Sequence, residues 1–246
     1  SIRYSAGRLT MKVAVISDIH ANRHALDAVL ADIDESGIEE IWFLGDAVGY
    51  GAFPGECVLT LKDRCSVFLL GNHDLAALRE IDIGTFSPSA AISARWTREH
   101  MDEDAFEVLR GLDGTSAERE GIGLFHASPR DPIWEYVVDS DLAEDNLDFH
   151  EQRVVLIGHS HIALYFTRVD EMSRVSSGRA PEGTELEMSA GKWLLNPGSA
   201  GQPRDGDPRS AWAELDTESF QARFHRVQYP VEEAAEAIRK AGLPSH

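Results

Sequence analysis

Basic residues are scarce in this 246-residue chain: 23 lysines and arginines face 42 aspartates and glutamates, for a formal net charge of −19 at pH 7. A surface of that sign repels phosphate backbones and argues against general nucleic-acid binding. It also opposes any phosphorylated substrate unless bound cations reverse the sign locally. Cysteine is nearly absent. Cys57 and Cys65 are the only two, so no disulfide framework is suggested, and a reducing compartment such as the cytoplasm fits. No apolar stretch approaches the roughly 20 residues that span a bilayer, so no membrane association is expected. Ser1 to Thr10 lacks the apolar core of a secretory signal. Met11 reads as a candidate natural start, with residues 1–10 as an extension. No Pro/Gly/Ser-rich linker divides the chain and no internal repeat appears. Residues 1–246 therefore read as one domain, long enough to bury roughly three quarters of the unfolded surface.

What the chain does have is a recurring pattern. Ile41-Trp-Phe-Leu-Gly-Asp46 is a short apolar run that delivers one carboxylate at its end, the signature of a buried strand. Val13 to Asp18 ends in Asp18-Ile-His20, Val67 to Gly71 in Asn72-His73-Asp74, Gly123 to Phe125 in His126, and Val154 to Gly158 in His159-Ser-His161. In α/β sheets, chemistry collects just beyond the carboxyl ends of strands. Five such ends here discharge metal-ligating residue types.

Between them, Leu26, Val29, Leu30 and Ile33 keep helical spacing up to Gly37, and Pro54 opens a helix through Leu61. This β-α-β-α-β opening predicts a parallel sheet. About residues 75–112 the pattern turns helical, with Ser87-Pro88 as an N-cap and first helical position. That segment is expected to stand beside the catalytic face as a small helical lid. Strands are predicted at Thr115–Arg119, Gly121–His126 and Arg153–Ile157, with a short helix at Asp141–Phe149. The chain beyond His161 is mostly β, over Ala163–Val169, Glu185–Met188, Trp193–Asn196, Ala211–Leu215 and Phe220–Val227. The polar stretch 170–183 reads as a hairpin loop, and Glu232–Ala241 as a closing helix. The architecture is α/β, a two-sheet β-sandwich flanked by helices.

Each motif alone is weak. Asp18-x-His20 is a common pairing, Asp46 could cap a helix, Asn72-His73-Asp74 could form an Asx-type turn, and His126 could be a strand-end histidine. His159-x-His161 is better, because alternate strand residues face one side and can chelate. Jointly, chance would have to place ligand types at five independent strand ends. The ordered set Asp18-Ile-His20, Gly45-Asp46, Gly71-Asn72-His73-Asp74, His126 and Gly158-His159-Ser160-His161 resembles the calcineurin-like metallophosphoesterases. Phe125-His-Ala-Ser-Pro129, Asn196-Pro-Gly-Ser199 and Gly201 to Arg209 extend the likeness to the bacterial and archaeal phosphodiesterase or diadenosine-tetraphosphatase-like branch. The resemblance implies two divalent transition-metal ions. Asp18, His20, Asp46 and His161 would hold one, and Asp46, Asn72, His126 and His159 the other, with a metal-activated hydroxide attacking phosphorus. It places His73 near the leaving oxygen, as general acid or charge stabiliser, with Asp74 orienting it.

Carboxylates and neutral imidazoles suit Mn, Fe, Zn or Ni, and the lack of thiolates argues against a structural zinc cage. Gly45-Asp-Ala-Val-Gly-Tyr-Gly51 lacks the aspartate and arginine of the protein-phosphatase pattern GDxVDRG, which speaks against a protein phosphatase. Ala21 follows His20 where glycine is common. Arg130, Arg204 and Arg209 are candidates for binding substrate phosphates; the alternative is that they pair with the abundant acids. Tyr50, Phe53, Trp134 and Tyr136 are candidates for stacking on a base, or for ordinary packing. The expected activity is hydrolysis of a small phosphodiester or nucleotide-type substrate. Diadenosine tetraphosphate hydrolysis and phosphomonoester hydrolysis are the enzymatic alternatives. A partner-binding module on the same scaffold is the non-enzymatic one, although such a module should have lost ligands or His73.

Overall fold

The computed structural model describes residues 12–244, so residues 1–10 and Met11 lie outside the described residues. In chain order, strand β1 is Lys12–Ile16, helix α1 Arg23–Ser36, β2 Glu40–Phe43, α2 Pro54–Arg64, β3 Val67–Phe68 and α3 Asn72–Ala77. A short 3-10 turn at Ile83–Thr85 leads into α4 at Pro88–His100 and α5 at Glu103–Arg110. Then come β4 Ser116–Arg119, β5 Ile122–Phe125, α6 Ser140–Phe149, β6 Val154–Leu156, β7 Ala163–Arg168 and β8 Ser176–Arg179. The chain closes with β9 Glu185–Glu187, β10 Lys192–Pro197, β11 Ser210–Asp216, β12 Gln221–Val227 and α7 Val231–Lys240.

The strands form two six-stranded sheets, ordered β3-β2-β1-β11-β12-β9 and β4-β5-β6-β10-β7-β8. The first three strands run parallel, as the βαβαβ opening requires, and β11 joins β1 antiparallel. Alternation along each strand then builds the layers. On β1, Ala14 and Ile16 face α1 and α2, packing with Leu26, Val29 and Val58. Val13 and Val15 face the other sheet and share a core with Trp42, Leu44, Leu124 and Leu156. On β6, Val155 points outward against Ala143 and Leu147 of α6. The order is helices, sheet, sheet, helix. Because both faces of the central strands are buried, they read as continuous apolar runs rather than alternating ones.

The stretch 170–183 departs from the reading of it as loop. Ser176–Arg179 is a strand, paired antiparallel with Leu164–Thr167 of β7. It is a polar, mostly exposed edge strand, so no apolar face advertised it. The helical segment touches the loop after β2 through Ser93 of α4, whose hydroxyl accepts the Tyr50 amide at 2.9 Å.

Candidate metal centre

Asp18, Asp46, Asn72, His126, His159 and His161 all sit just beyond strand ends, and the packing of the two sheets brings those ends together. The loops are tied across the layers. The Asp18 amide donates to the Gly45 carbonyl and the His20 amide to the Asp46 carbonyl, each at 3.0 Å. The His159 amide of the second sheet donates to Asp18 Oδ2 at 3.1 Å.

Backbone strain gathers here. Asp18, His20, Ala21, Asp46, Tyr50, His159 and His161 all have positive φ, a conformation that is uncommon outside glycine and clusters at functional sites. Ala21, at φ 53, occupies a backbone position that glycine would fill without a steric penalty. Gly71 answers a close approach instead: a Cβ there would stand 2.1 Å from Asp46 Oδ1. Its absence lets the start of α3 reach the Asp46 carboxylate, whose Oδ1 accepts the His73 amide at 2.8 Å.

Three buried ligand groups result: Asp18, His20 and His161; His20, Asp46 and His73; and Asp46, His126 and His159, each with its ligand atoms within 4.8 Å of one another. Asn72 joins the last, its side-chain oxygen 3.2 Å from His126 Nε2. All seven expected ligands therefore converge. His73, expected to be outside the ligand count, also lies within ligand distance of His20 and Asp46.

Three histidines are oriented by carbonyls. His20 Nδ1 donates to the Val48 carbonyl at 2.9 Å, His126 Nδ1 to Leu44 at 2.9 Å and His161 Nδ1 to Gln202 at 2.7 Å. A carbonyl can only accept, so each Nδ1 carries a proton, which leaves Nε2 as the atom turned inward toward a cation. His20 Nε2 and His161 Nε2 then face each other at 3.0 Å. Two opposed lone pairs repel, and burial holds both rings well below the usual histidine range, so no proton readily sits between them. Asp18 Oδ1 and His159 Nε2 are likewise buried without a hydrogen-bond partner. Burial pushes the Asp18 carboxyl up to about 7 and Asp46 well above the carboxylate range. A divalent cation would relieve every one of these tensions, and this nitrogen and carboxylate donor set fits Mn, Fe, Zn or Ni.

Asp74 does not orient His73. Its Oδ2 accepts the amides of Gly71 and Asp46 at 2.9 Å and that of Ala47 at 3.3 Å, while Oδ1 accepts Val48 at 3.1 Å. A fully buried carboxylate thus fixes the loop that carries Asp46. The His73 ring is held instead by rings, with centroids 4.7 Å from Tyr50 and 4.9 Å from Phe86.

The arginines separate. Arg204 stands at the mouth of the centre, its guanidinium 5.8 Å from the Tyr50 ring centroid. Arg130 pairs with Asp145 and Glu135, and Arg209 with Asp207 and Glu182, so both neutralise neighbouring acids rather than face the centre. Among the aromatics, Tyr136 stacks on His159 at 4.0 Å and Trp134 meets Phe86 edge-on at 5.7 Å. Phe53 packs against His24 at 5.5 Å, away from the ligands.

Sequence reasoning missed Phe86, for which nothing marks a role, and the supporting parts of Asn196-Pro-Gly-Ser199. Asn196 Nδ2 donates to the Gly158 carbonyl at 2.7 Å, and the Ser199 hydroxyl to the Asp18 carbonyl at 2.7 Å. The quoted motif was the signal; its job is to hold two ligand loops.

Comparison with known proteins agrees with this geometry. The family model of the calcineurin-like phosphoesterase superfamily domain matches residues 11–219. The chain is 36% identical over 236 residues to an uncharacterised protein of Methanocaldococcus jannaschii, covering 94% of this chain and 93% of that one. It is 35% identical to a metallophosphoesterase of Sphaerobacter thermophilus whose crystal structure superposes over 96% of each chain with a TM-score of 0.86. A hypothetical protein of Pyrococcus horikoshii OT3, 21% identical, shares the fold over 95% of this chain and 94% of its own, with a TM-score of 0.74. With ligand geometry and comparisons pointing the same way, the chain belongs to the calcineurin-like phosphoesterase superfamily, and its buried histidine–aspartate clusters are compatible with the metal dependence of that superfamily.

Proposed function

We propose that this protein is a dinuclear metal-dependent phosphoesterase acting on a small phosphodiester or nucleotide-type substrate. The observation that carries this reading is the position of Asp46 Oδ2, 3.6 Å from His20 Nε2 and 3.5 Å from His126 Nε2. One carboxylate oxygen faces both imidazole sets, as a bridging ligand must. Asp18, His20, Asp46 and His161 would hold one ion; Asp46, Asn72, His126 and His159 would hold the other. When bound, two divalent ions supply Lewis acidity toward phosphoryl oxygens and lower the pKa of water.

The chain's own residues do the rest. Asp74 keeps Asp46 in register through backbone amides. Burial, with His126 and Arg204 nearby, holds His73 down to about 3, so its imidazole is neutral near pH 7. That favours an N–H donor to the phosphoryl group over a general acid. Arg204 offers the fixed positive charge at the mouth, which an acidic protein otherwise lacks. A small phosphorylated substrate suits this local reversal of sign; a long polyanion would still meet the acidic surface. Cys57 and Cys65 are both free thiols, which fits the cytoplasm. No helix among the described residues is long and apolar enough to cross a membrane.

The test is a panel of bis(p-nitrophenyl) phosphate, p-nitrophenyl phosphate and diadenosine tetraphosphate with metal-reconstituted protein. Faster turnover of the diester than of the monoester, abolished by chelator, is the expected result. Faster turnover of diadenosine tetraphosphate or of the monoester would reassign the substrate. No hydrolysis of any substrate by the metal-loaded protein would support the partner-binding module instead.

A further inference from the structure

Helix α7 lies beyond the residues that the family model matches, yet it forms one wall of a cleft that opens onto the candidate metal centre. The cleft has a volume of about 370 Å3, within the roughly 300–1,000 Å3 usual for ligand pockets. His20 lines its inner end, and the same ring lies 3.6 Å from Asp46 Oδ2. Along α7, Val231, Ala234, Ala235 and Ile238 follow i, i+3, i+4, i+7 spacing and all line the cleft, a single apolar stripe. Of these four Ala234 is buried, Ala235 and Ile238 are partly covered and Val231 is exposed, so the stripe still presents apolar surface to the cleft. Two alanines at its centre keep open the volume that larger side chains would fill. Tyr50, Arg204, Pro203, Pro208 and Tyr229 face it.

The chemistry of this lining limits the occupant. The flat faces are two tyrosines, two prolines and a guanidinium. The polar groups are already engaged: Asn22 caps α1 through the Ala25 amide at 3.1 Å and donates to the Gly201 carbonyl at 2.8 Å. The Gln202 side-chain oxygen accepts from Arg204 at 2.6 Å. A hydroxyl-rich arm has no flat face to set against these rings, whereas an aromatic arm does. A cationic arm would meet the Arg204 guanidinium, the one charged side chain of the lining apart from the His20 imidazole. Resting on the phosphoesterase reading above, we infer that the cleft is a subsite for a flat heteroaromatic arm of the phosphoester, of the nucleobase class, and that α7 selects it.

The test compares binding of the non-hydrolysable phosphonate isosteres of adenosine 5′-phosphate and ribose 5-phosphate to the metal-loaded full chain, by calorimetry. The two ligands differ only at the anomeric carbon, where the first carries adenine and the second a hydroxyl. Wild-type protein should bind the adenosine compound at least about fivefold more tightly, the lower end of what stacking one base on aromatic side chains contributes. Ala235→Trp, at a half-exposed position, fills the cleft and should bring the adenosine compound down to the level of the ribose compound, which stays unchanged. Tyr229→Ala, which opens the cleft rather than filling it, should also erode the preference. Equal binding of both ligands to wild type, or a base preference that survives both variants, overturns the inference. Because binding is read without turnover, a base preference in a protein that hydrolyses nothing refutes the phosphoesterase reading alone. Diester hydrolysis without any base preference refutes the cleft assignment alone.

Discussion

The two sheets contribute to the centre by opposite means. Loops after β1, β2 and β3 bring the carboxylates Asp18 and Asp46, together with Asn72, His20 and His73, and fix them largely through backbone amides. Asp46 Oδ1 is held by the His73 amide, and the Asp46 loop by three of its own amides, those of Asp46, Ala47 and Val48, on Asp74. Loops after β5 and β6 bring only imidazoles. His126 reaches back to the Leu44 carbonyl of the first sheet, and His161 to Gln202. The first sheet therefore holds the carboxylate charge that a cation would need, and the second would add imidazole donors. The ligand groups thus come together where the sheets pack, and Asp46, common to two of them, belongs to the first sheet.

That asymmetry can be broken directly. Asp46→Asn should lose both ions and nearly all activity, exceeding the roughly 10–100-fold that even outer partners of ligands are worth. His159→Ala, from the second sheet, should lose one. Metal stoichiometry of the purified variants decides; two tight ions retained by Asp46→Asn would transfer the bridging role elsewhere. His73→Asn should keep both ions while kcat falls about 10²–10³-fold, the cost of one transition-state donor. The loss should be alike for p-nitrophenyl and alkyl phosphodiesters, since a neutral imidazole gives no proton to the leaving oxygen. A selectively larger loss on the alkyl ester would restore the general-acid role, and loss of an ion would make His73 a ligand. Asp74→Asn should weaken metal binding by about 10–100-fold, as an outer partner of a ligand. It exchanges an acceptor for an amide beside the backbone amides of residues 46–48, so the Asp46 loop loosens. An unchanged affinity would separate that loop from the centre.

The smallest effect is graded with pH. Burial holds a proton on Asp18 up to about 7, and a cation must displace it. Metal affinity should therefore fall below about pH 7, by roughly tenfold per pH unit for each proton displaced. Calorimetry in buffers of different ionisation enthalpy counts those protons; an affinity flat between about pH 5.5 and 7.5, with no proton release, would contradict the burial argument.

Much of this centre is legible in the sequence because buried strands announce themselves and their ends are short. Asp18, Asp46, Asn72, His126 and His159 each follow an apolar run, so the strands predict where they converge. The two-sheet sandwich follows from the same runs. What is not legible depends on contacts made across the fold. Asp74 is one residue from His73 in sequence, yet its oxygens serve the loop 46–48. Arg130, Arg204 and Arg209 look equivalent as letters, and only packing sets Arg204 at the centre while acids claim the other two. β8 is polar on an exposed edge and carries no apolar alternation. The α7 stripe reads as an ordinary amphipathic helix until the cleft beneath it is seen.

The central claim is that two cations share Asp46 at the junction of the sheets. Anomalous scattering from crystals grown with manganese tests it most directly. Two peaks per chain are expected, about 3.5–4 Å apart as two-metal sites have, one on each side of Asp46 Oδ2. A single peak, or a pair that does not flank Asp46, would contradict it.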